Sequence, residues 1–260
     1  MADKQGDFVW YELMTTDADA AQAFYEPLLG WKFAGSDMPG IDYRIGSKDG
    51  TQVVGLLELT GDMTKGGARP AWIGYIAADD IHASITDLKD RGGQLHMGPN
   101  HLEGVGHMAL VADPQGVPFY LMQTEGEGPA TSFAKYEPKV GHCAWNELVI
   151  DDPDAADAFY TGMFGWQKGE AMDMGEMGVY QMFTQDDYGL GAIMKRPEQM
   201  PVSAWAFYFR VPEIEAARSH VESSGGQVVN GPMEIPGGEY VCQGFDPQGA
   251  FFSIIGPKGT

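Results

Sequence analysis

The sequence predicts an α+β protein of two tandem domains, each built from two strand–helix–strand–strand–strand (βαβββ) units. Three observations carry this reading. First, Trp10–Trp31, WYELMTTDADAAQAFYEPLLGW, lies without a gap over Trp145–Trp166, WNELVIDDPDAADAFYTGMFGW, with 12 of 22 positions identical. Second, further blocks recur in the same order. AWIGYIAADDI (Ala71–Ile81) faces AWAFYFRVPEI (Ala204–Ile214), RGGQL (Arg91–Leu95) faces SGGQV (Ser224–Val228), and Gly98-Pro99 faces Gly231-Pro232. DPQG occurs at Asp113–Gly116 and again at Asp246–Gly249. Third, within each copy a strand-then-helix pattern starts twice, and each helix is followed by three strand-like runs. A parallel α/β sheet would alternate one strand with one helix. The copies span residues 7–125 and 140–257, and the Gly-, Pro- and charge-rich stretch 126–139 reads as a linker.

The elements follow from local chemistry. WYELMT is strand-like and leads to Asp17, a helix-capping residue. Ala20, Ala21, Phe24, Tyr25, Leu28 and Leu29 then fall on one helical face. Gly30 is placed to stop that helix in a left-handed conformation. In the second copy Asp152 is the cap and Pro153 the first helical residue. Short strands are expected around Tyr43–Ile45 and Val53–Leu59. A strand over Trp72–Ala77, a helix over Ile81–Arg91 ended by Gly92-Gly93, and two strands flanking DPQG complete the first copy.

Composition excludes several classes. With 43% apolar residues a core can form, and no apolar run is long enough to span a membrane. The formal charge of −21 repels phosphate backbones and argues against nucleic-acid binding. Two cysteines, Cys143 and Cys242, make no disulfide framework. The start MADKQGDF has no secretory pattern, so the expected location is cytoplasmic.

The strand–Asp–AxxFYxxxLGW string (Ala21–Trp31) and the closing DPxG strand pair resemble the vicinal oxygen chelate superfamily, which includes glyoxalases, bleomycin-resistance proteins and extradiol dioxygenases. The W-x-E-L opening and the FGW ending are similar to a subgroup of two-domain, glyoxalase-like bacterial proteins. The resemblance implies that each pair of units forms a U-shaped, mainly antiparallel sheet around a concave pocket, with helices outside. It also implies metal-ligand positions, and here these hold Trp10, Ile73 and Tyr120 in one copy and Trp145, Ala206 and Ser253 in the other. A fourth falls on Glu58 in a LELT string, with Met194 as its counterpart, although Glu58 also reads as a strand-end surface charge. No metal site and no cofactor are therefore expected, since a catalytic zinc needs about three protein ligands. His82 and His220 fall on helices, His96 and His101 in a loop near Gly98-Pro99, and His142 shortly before Trp145. His107, whose counterpart is Tyr240, lies on the strand leading to DPQG and is the histidine expected to line a pocket.

Strand alternation gives the rest of the pocket. If Trp10 and Trp145 point inward, so do Glu12 and Met14, and Glu147 and Val149. Tyr75 joins Ile73, Tyr208 joins Ala206, Met122 joins Tyr120, and Phe251 joins Ser253. Each cleft is then apolar and aromatic with one carboxylate, the profile of a small-molecule site. Glu12 and Glu147 are the candidate acid–base residues, because a desolvated carboxyl has a raised pKa. The alternative is that each is paired and only fixes its strand. Trp10, Tyr75, His107, Tyr120, Trp145, Tyr208 and Ser253 are the candidate ligand contacts. Trp31, Trp166, Trp72 and Trp205 read as core. Met172, Met174 and Met177 fall in a loop-like stretch. The leading function is binding of a small apolar or aromatic molecule by a monomer or homodimer. The alternative is a glyoxalase-type lyase or isomerase using Glu12 or Glu147.

Overall fold

A computed structural model describes residues 3–36, 38, 40–126 and 128–259. The first copy runs β1 (Phe8–Thr15), α1 (Ala18–Leu29), β2 (Lys32–Gly35), β3 (Tyr43–Lys48) and β4 (Thr51–Glu58). After the short helix α2 (Gly61–Lys65) come β5 (Ala71–Ala77), α3 (Ile81–Asp90), β6 (Gln94–Leu102), β7 (Gly106–Ala112) and β8 (Pro118–Thr124). The second copy repeats the order. It has β9 (Cys143–Ile150), α4 (Pro153–Phe164), β10 (Gln167–Asp173), β11 (Val179–Gln185) and β12 (Tyr188–Lys195). These are followed by β13 (Ala204–Arg210), α5 (Ile214–Ser223), β14 (Gln227–Glu234), β15 (Tyr240–Phe245) and β16 (Phe251–Gly256). The four expected units are present. Among the described residues no helix is long and apolar enough to cross a membrane.

Three local readings change. Helix α2 was not expected from its weak GDMTK sequence; the Thr60 side chain caps it by accepting from Met63 N. His96 and His101 lie in strand β6, not in a loop. Met172 belongs to β10, while Met174 precedes a single 3-10 turn that contains Met177.

Two eight-stranded sheets form, in the orders β2-β3-β4-β1-β5-β8-β7-β6 and β10-β11-β12-β9-β13-β16-β15-β14. Hairpins pair antiparallel, while β1–β4, β5–β8, β9–β12 and β13–β16 pair parallel. Each sheet is α+β and mixed, and each draws on one sequence copy.

Helix termini are fixed as the sequence suggests. Asp17 accepts from Ala20 N at 2.9 Å, and Gly30 takes φ 71° as the left-handed cap. Glu58 has an unforeseen structural task. Its Oε2 accepts from Ala18 N at 2.9 Å and places negative charge at the start of α1. Strand register also makes its counterpart Lys195 and not Met194, because Thr15 pairs with Glu58 and Ile150 with Lys195.

Packing divides the chain differently from the repeat. One compact unit comprises residues 1–9, 73–130 and 145–205; the other comprises 10–72, 131–144 and 206–260. In the first unit, Tyr160 stacks on Trp166 at 5.5 Å and meets Trp205 edge-on at 5.4 Å. Its hydroxyl donates to Asp113 Oδ2 at 3.1 Å. In the second, Tyr11 packs edge-on against Phe207 and Phe209. There Trp72 Nε1 donates to Tyr25 Oη, which donates to Asp246 Oδ2 at 3.0 Å. The tyrosine of each FY pair thus bonds the DPQG aspartate of the other copy. Those aspartates also accept turn amides, Val117 N and Ala250 N. Burial is the main cause that pushes both carboxyls and both phenols to higher pKa.

Candidate functional site

Strand β1 separates two kinds of side chain. Tyr11, Leu13 and Thr15 are buried on the core side with Val54 and Leu56 of β4. Trp10, Glu12 and Met14 alternate onto the other face, where Glu12 pairs with Gly55 and Met14 with Leu57. Trp10 Nε1 donates to Tyr43 Oη at 3.2 Å, and Glu12 is only 4% exposed. These groups belong to the second unit.

The repeat places the same groups in the first unit. Trp145 Nε1 donates to Tyr180 Oη at 2.7 Å, and Tyr180 Oη donates to Glu147 Oε2 at 2.9 Å. Glu147 is 7% exposed. Burial, and then the Glu147 charge, push the Tyr180 phenol well above its ordinary pKa. The phenol therefore stays protonated and remains a donor. The result is a chain from indole N–H to phenol O–H to carboxylate. It can hold an acceptor carboxylate in a fixed rotamer beside an indole ring. The two copies differ at one backbone position. A Cβ at Gly55 would overlap the Tyr43 hydroxyl and stand 3.0 Å from Trp10 Nε1, whereas the register equivalent beside Glu147 is Ala192.

The other candidates fall into two groups. In the first unit Tyr75 and Tyr120 are cross-strand partners whose rings stack at 4.2 Å and 10°. His107 does not join them. Tyr120 pairs with Leu110 and Gln123 with His107, so His107 lies on the opposite face of β7 and β8. That is the helix side, since Gln123 Oε1 accepts from Ile81 N at the start of α3. His107, expected to line a pocket, therefore does not share a face with Tyr75 and Tyr120. In the second unit Tyr208 and Ser253 are cross-strand partners, and Gln243 of β15 completes their row. Gln243 Nε2 donates to Tyr208 Oη at 2.8 Å and its Oε1 accepts from Asn230 Nδ2 at 3.0 Å. Ser253 Oγ is buried and, among the described residues, has no hydrogen-bond partner.

Sequence reasoning missed Tyr43, Tyr180, Gln243 and Arg210. The two tyrosines carried a signal, since each copy has a tyrosine at or next to the start of its third strand. Arg210 carried none, because the first copy has Ala77 there. Its guanidinium forms a two-pronged ion pair with Glu239, which holds that carboxyl below its usual range.

The ligand positions implied by the resemblance hold indoles at Trp10 and Trp145, apolar groups at Ile73 and Ala206, a stacked phenol at Tyr120 and a hydroxyl at Ser253. That donor set does not fit a divalent cation. A cavity of about 430 Å³ lies elsewhere in the second unit, lined by Lys48, Asp49, Thr51, Thr131, Lys139, Val140 and His142. Its polar wall contains none of the expected contacts. Burial, ahead of other causes, lowers the His142 pKa there.

Comparison with known proteins agrees with the architecture. The family described as Glyoxalase/Bleomycin resistance protein/Dioxygenase superfamily matches residues 7–121 and 139–254. CFP32 of Mycobacterium bovis, whose name carries a provisional assignment as a glyoxylase, is 31% identical over 256 residues, covering 98% of this chain and 96% of that protein. The anthracycline biosynthesis protein DnrV of Streptomyces peucetius is 29% identical, over 95% of this chain and 91% of its own. The Mn(II)-bound glyoxalase of Novosphingobium aromaticivorans superposes with a TM-score of 0.67 at 16% identity, covering 98% of this chain and 83% of that one, a likeness of fold alone. The chain belongs to the glyoxalase/bleomycin resistance protein/dioxygenase superfamily.

Proposed function

We infer that this protein binds a small apolar or aromatic molecule without the family's usual metal. The observation that carries the reading is the Trp145–Tyr180–Glu147 chain, echoed by Trp10, Tyr43 and Glu12. It sets a buried carboxylate acceptor among aromatic rings, which suits a flat ligand bearing one hydrogen-bond donor. The name of DnrV as an anthracycline biosynthesis protein supports an aromatic ligand class. Metal independence rests on the donor set at the six family positions. Action in the cytoplasm as a monomer or homodimer belongs to the same proposal.

The second reading is a glyoxalase-type lyase or isomerase. The name given to CFP32 favours it. In that case Glu147 or Glu12 takes the proton, and acid–base catalysis contributes about 10²–10⁴-fold.

One experiment separates the two. Tryptophan fluorescence is titrated with planar hydroxylated aromatics for the native protein, Glu147→Gln and Glu12→Gln, with turnover of a methylglyoxal–thiol adduct assayed in parallel after chelation. Loss of affinity of about tenfold, or 1.4 kcal/mol, in the Gln variants is expected. Turnover that vanishes in those variants establishes the second reading. Unchanged affinity in both, with folding intact and no turnover, removes the glutamates from any function.

A further inference from the structure

We propose that His101, His107 and Glu125 form a binding site for a zinc-type divalent cation in the first unit. Strands β6 and β7 place His101 directly across from His107, with ring centroids 4.5 Å apart. Glu125 follows β8, and its amide donates to Val105 O in the β6–β7 turn at 3.1 Å, which holds it against the same strand pair. Nε2 of His101 lies 2.9 Å and Nε2 of His107 lies 3.9 Å from Glu125 Oε1. The three donor atoms lie within 4.8 Å of one another. Around tetrahedral zinc, with bonds of about 2.0–2.2 Å, ligand atoms stand roughly 3.4 Å apart. Small side-chain rotations therefore bring all three to bonding distance.

The donor types choose the ion. Two imidazoles and one carboxylate suit zinc, cobalt or nickel, whereas magnesium and calcium favour all-oxygen sets. Side-chain exposures of 46%, 36% and 39% leave room for water at the remaining positions. The formal charge of −21 raises the local concentration of cations. A simple surface ion pair needs only one imidazole beside Glu125. The second ring, tilted 33° against the first, supplies a further nitrogen that the ion pair does not need and a cation can use. The site is independent of the family positions, because His107 and Tyr120 lie on opposite faces of β7 and β8.

The test uses tag-free, full-length protein titrated calorimetrically with Zn²⁺, and with Co²⁺ followed by its visible absorption. One equivalent of each ion should bind, and Zn²⁺ should raise the thermal midpoint. His101→Ala, His107→Ala and Glu125→Gln are surface changes that leave the fold intact. Each should weaken binding by at least about tenfold, since even residues that only support a ligand contribute that much. Undiminished binding in the triple variant would place the ion elsewhere and overturn the proposal. So would the absence of binding by the native protein at millimolar Zn²⁺.

Discussion

Tyr180 lies between an indole donor and a carboxylate acceptor, so it is the residue whose removal separates the two roles of Glu147. Tyr180→Phe keeps the ring and deletes the hydroxyl. A buried carboxylate then loses a donor and Trp145 loses an acceptor, which should cost about 1–3 kcal/mol in urea unfolding. Glu147→Gln retains an acceptor oxygen and should cost less. If both variants are equally stable to the native protein, the chain does not fix this strand. The acidic half of the chain was legible from sequence, because a mid-strand glutamate recurs two residues after each tryptophan. Its hydroxyl partner was harder to find, since nothing local says which side chain of β11 reaches across β12 to β9. The face that His107 takes relative to the tyrosines was not legible either. The sequence shows alternation within one strand, but not the register that joins His107 to Gln123.

At the scale of elements, the caps and turns carry the stability that can be tested. Glu58 sits at the N-terminus of α1, so Glu58→Ala should lower unfolding free energy by about 0.5–2 kcal/mol. A change within error would mean that Asp17 alone caps the helix. The DPQG turns predict a pH dependence. Asp113 and Asp246 have folded-state pKa values raised, chiefly by burial, above their unfolded ones. Their stabilising contribution is complete below the unfolded carboxyl pKa and is lost as pH rises through the folded values. Native protein should therefore lose stability relative to Asp113→Asn/Asp246→Asn as pH rises from the unfolded carboxyl range toward neutrality. A constant difference across that range would contradict the assignment. The DPQG strings were readable as turns, but their hydrogen bonds to Tyr160 and Tyr25 were not. Each bond joins residues of different copies, and a repeat matches copies without saying which one packs on which.

For the whole molecule, the sheets follow the repeat while each compact unit takes segments from both copies. That predicts the outcome of cutting the chain. A protease site placed at the exposed Gly128 and Pro129 divides both units' sequences without removing any packed segment. The nicked protein should elute as one species in gel filtration and separate only in denaturant. Two independently eluting halves would show that each copy folds alone. The same arrangement bears on synthesis at the ribosome. The first unit has all its segments once Trp205 is made, but the second is complete only at the end of the chain. Asp246 follows Tyr25 by 221 residues. At about 5–20 residues per second that gap lasts roughly ten to forty seconds. Throughout it Phe24 and Tyr25 of α1 lack Phe252 of β16, which packs against both. The second unit, which holds α1, is thus the part most exposed to holdase chaperones and the last to become native.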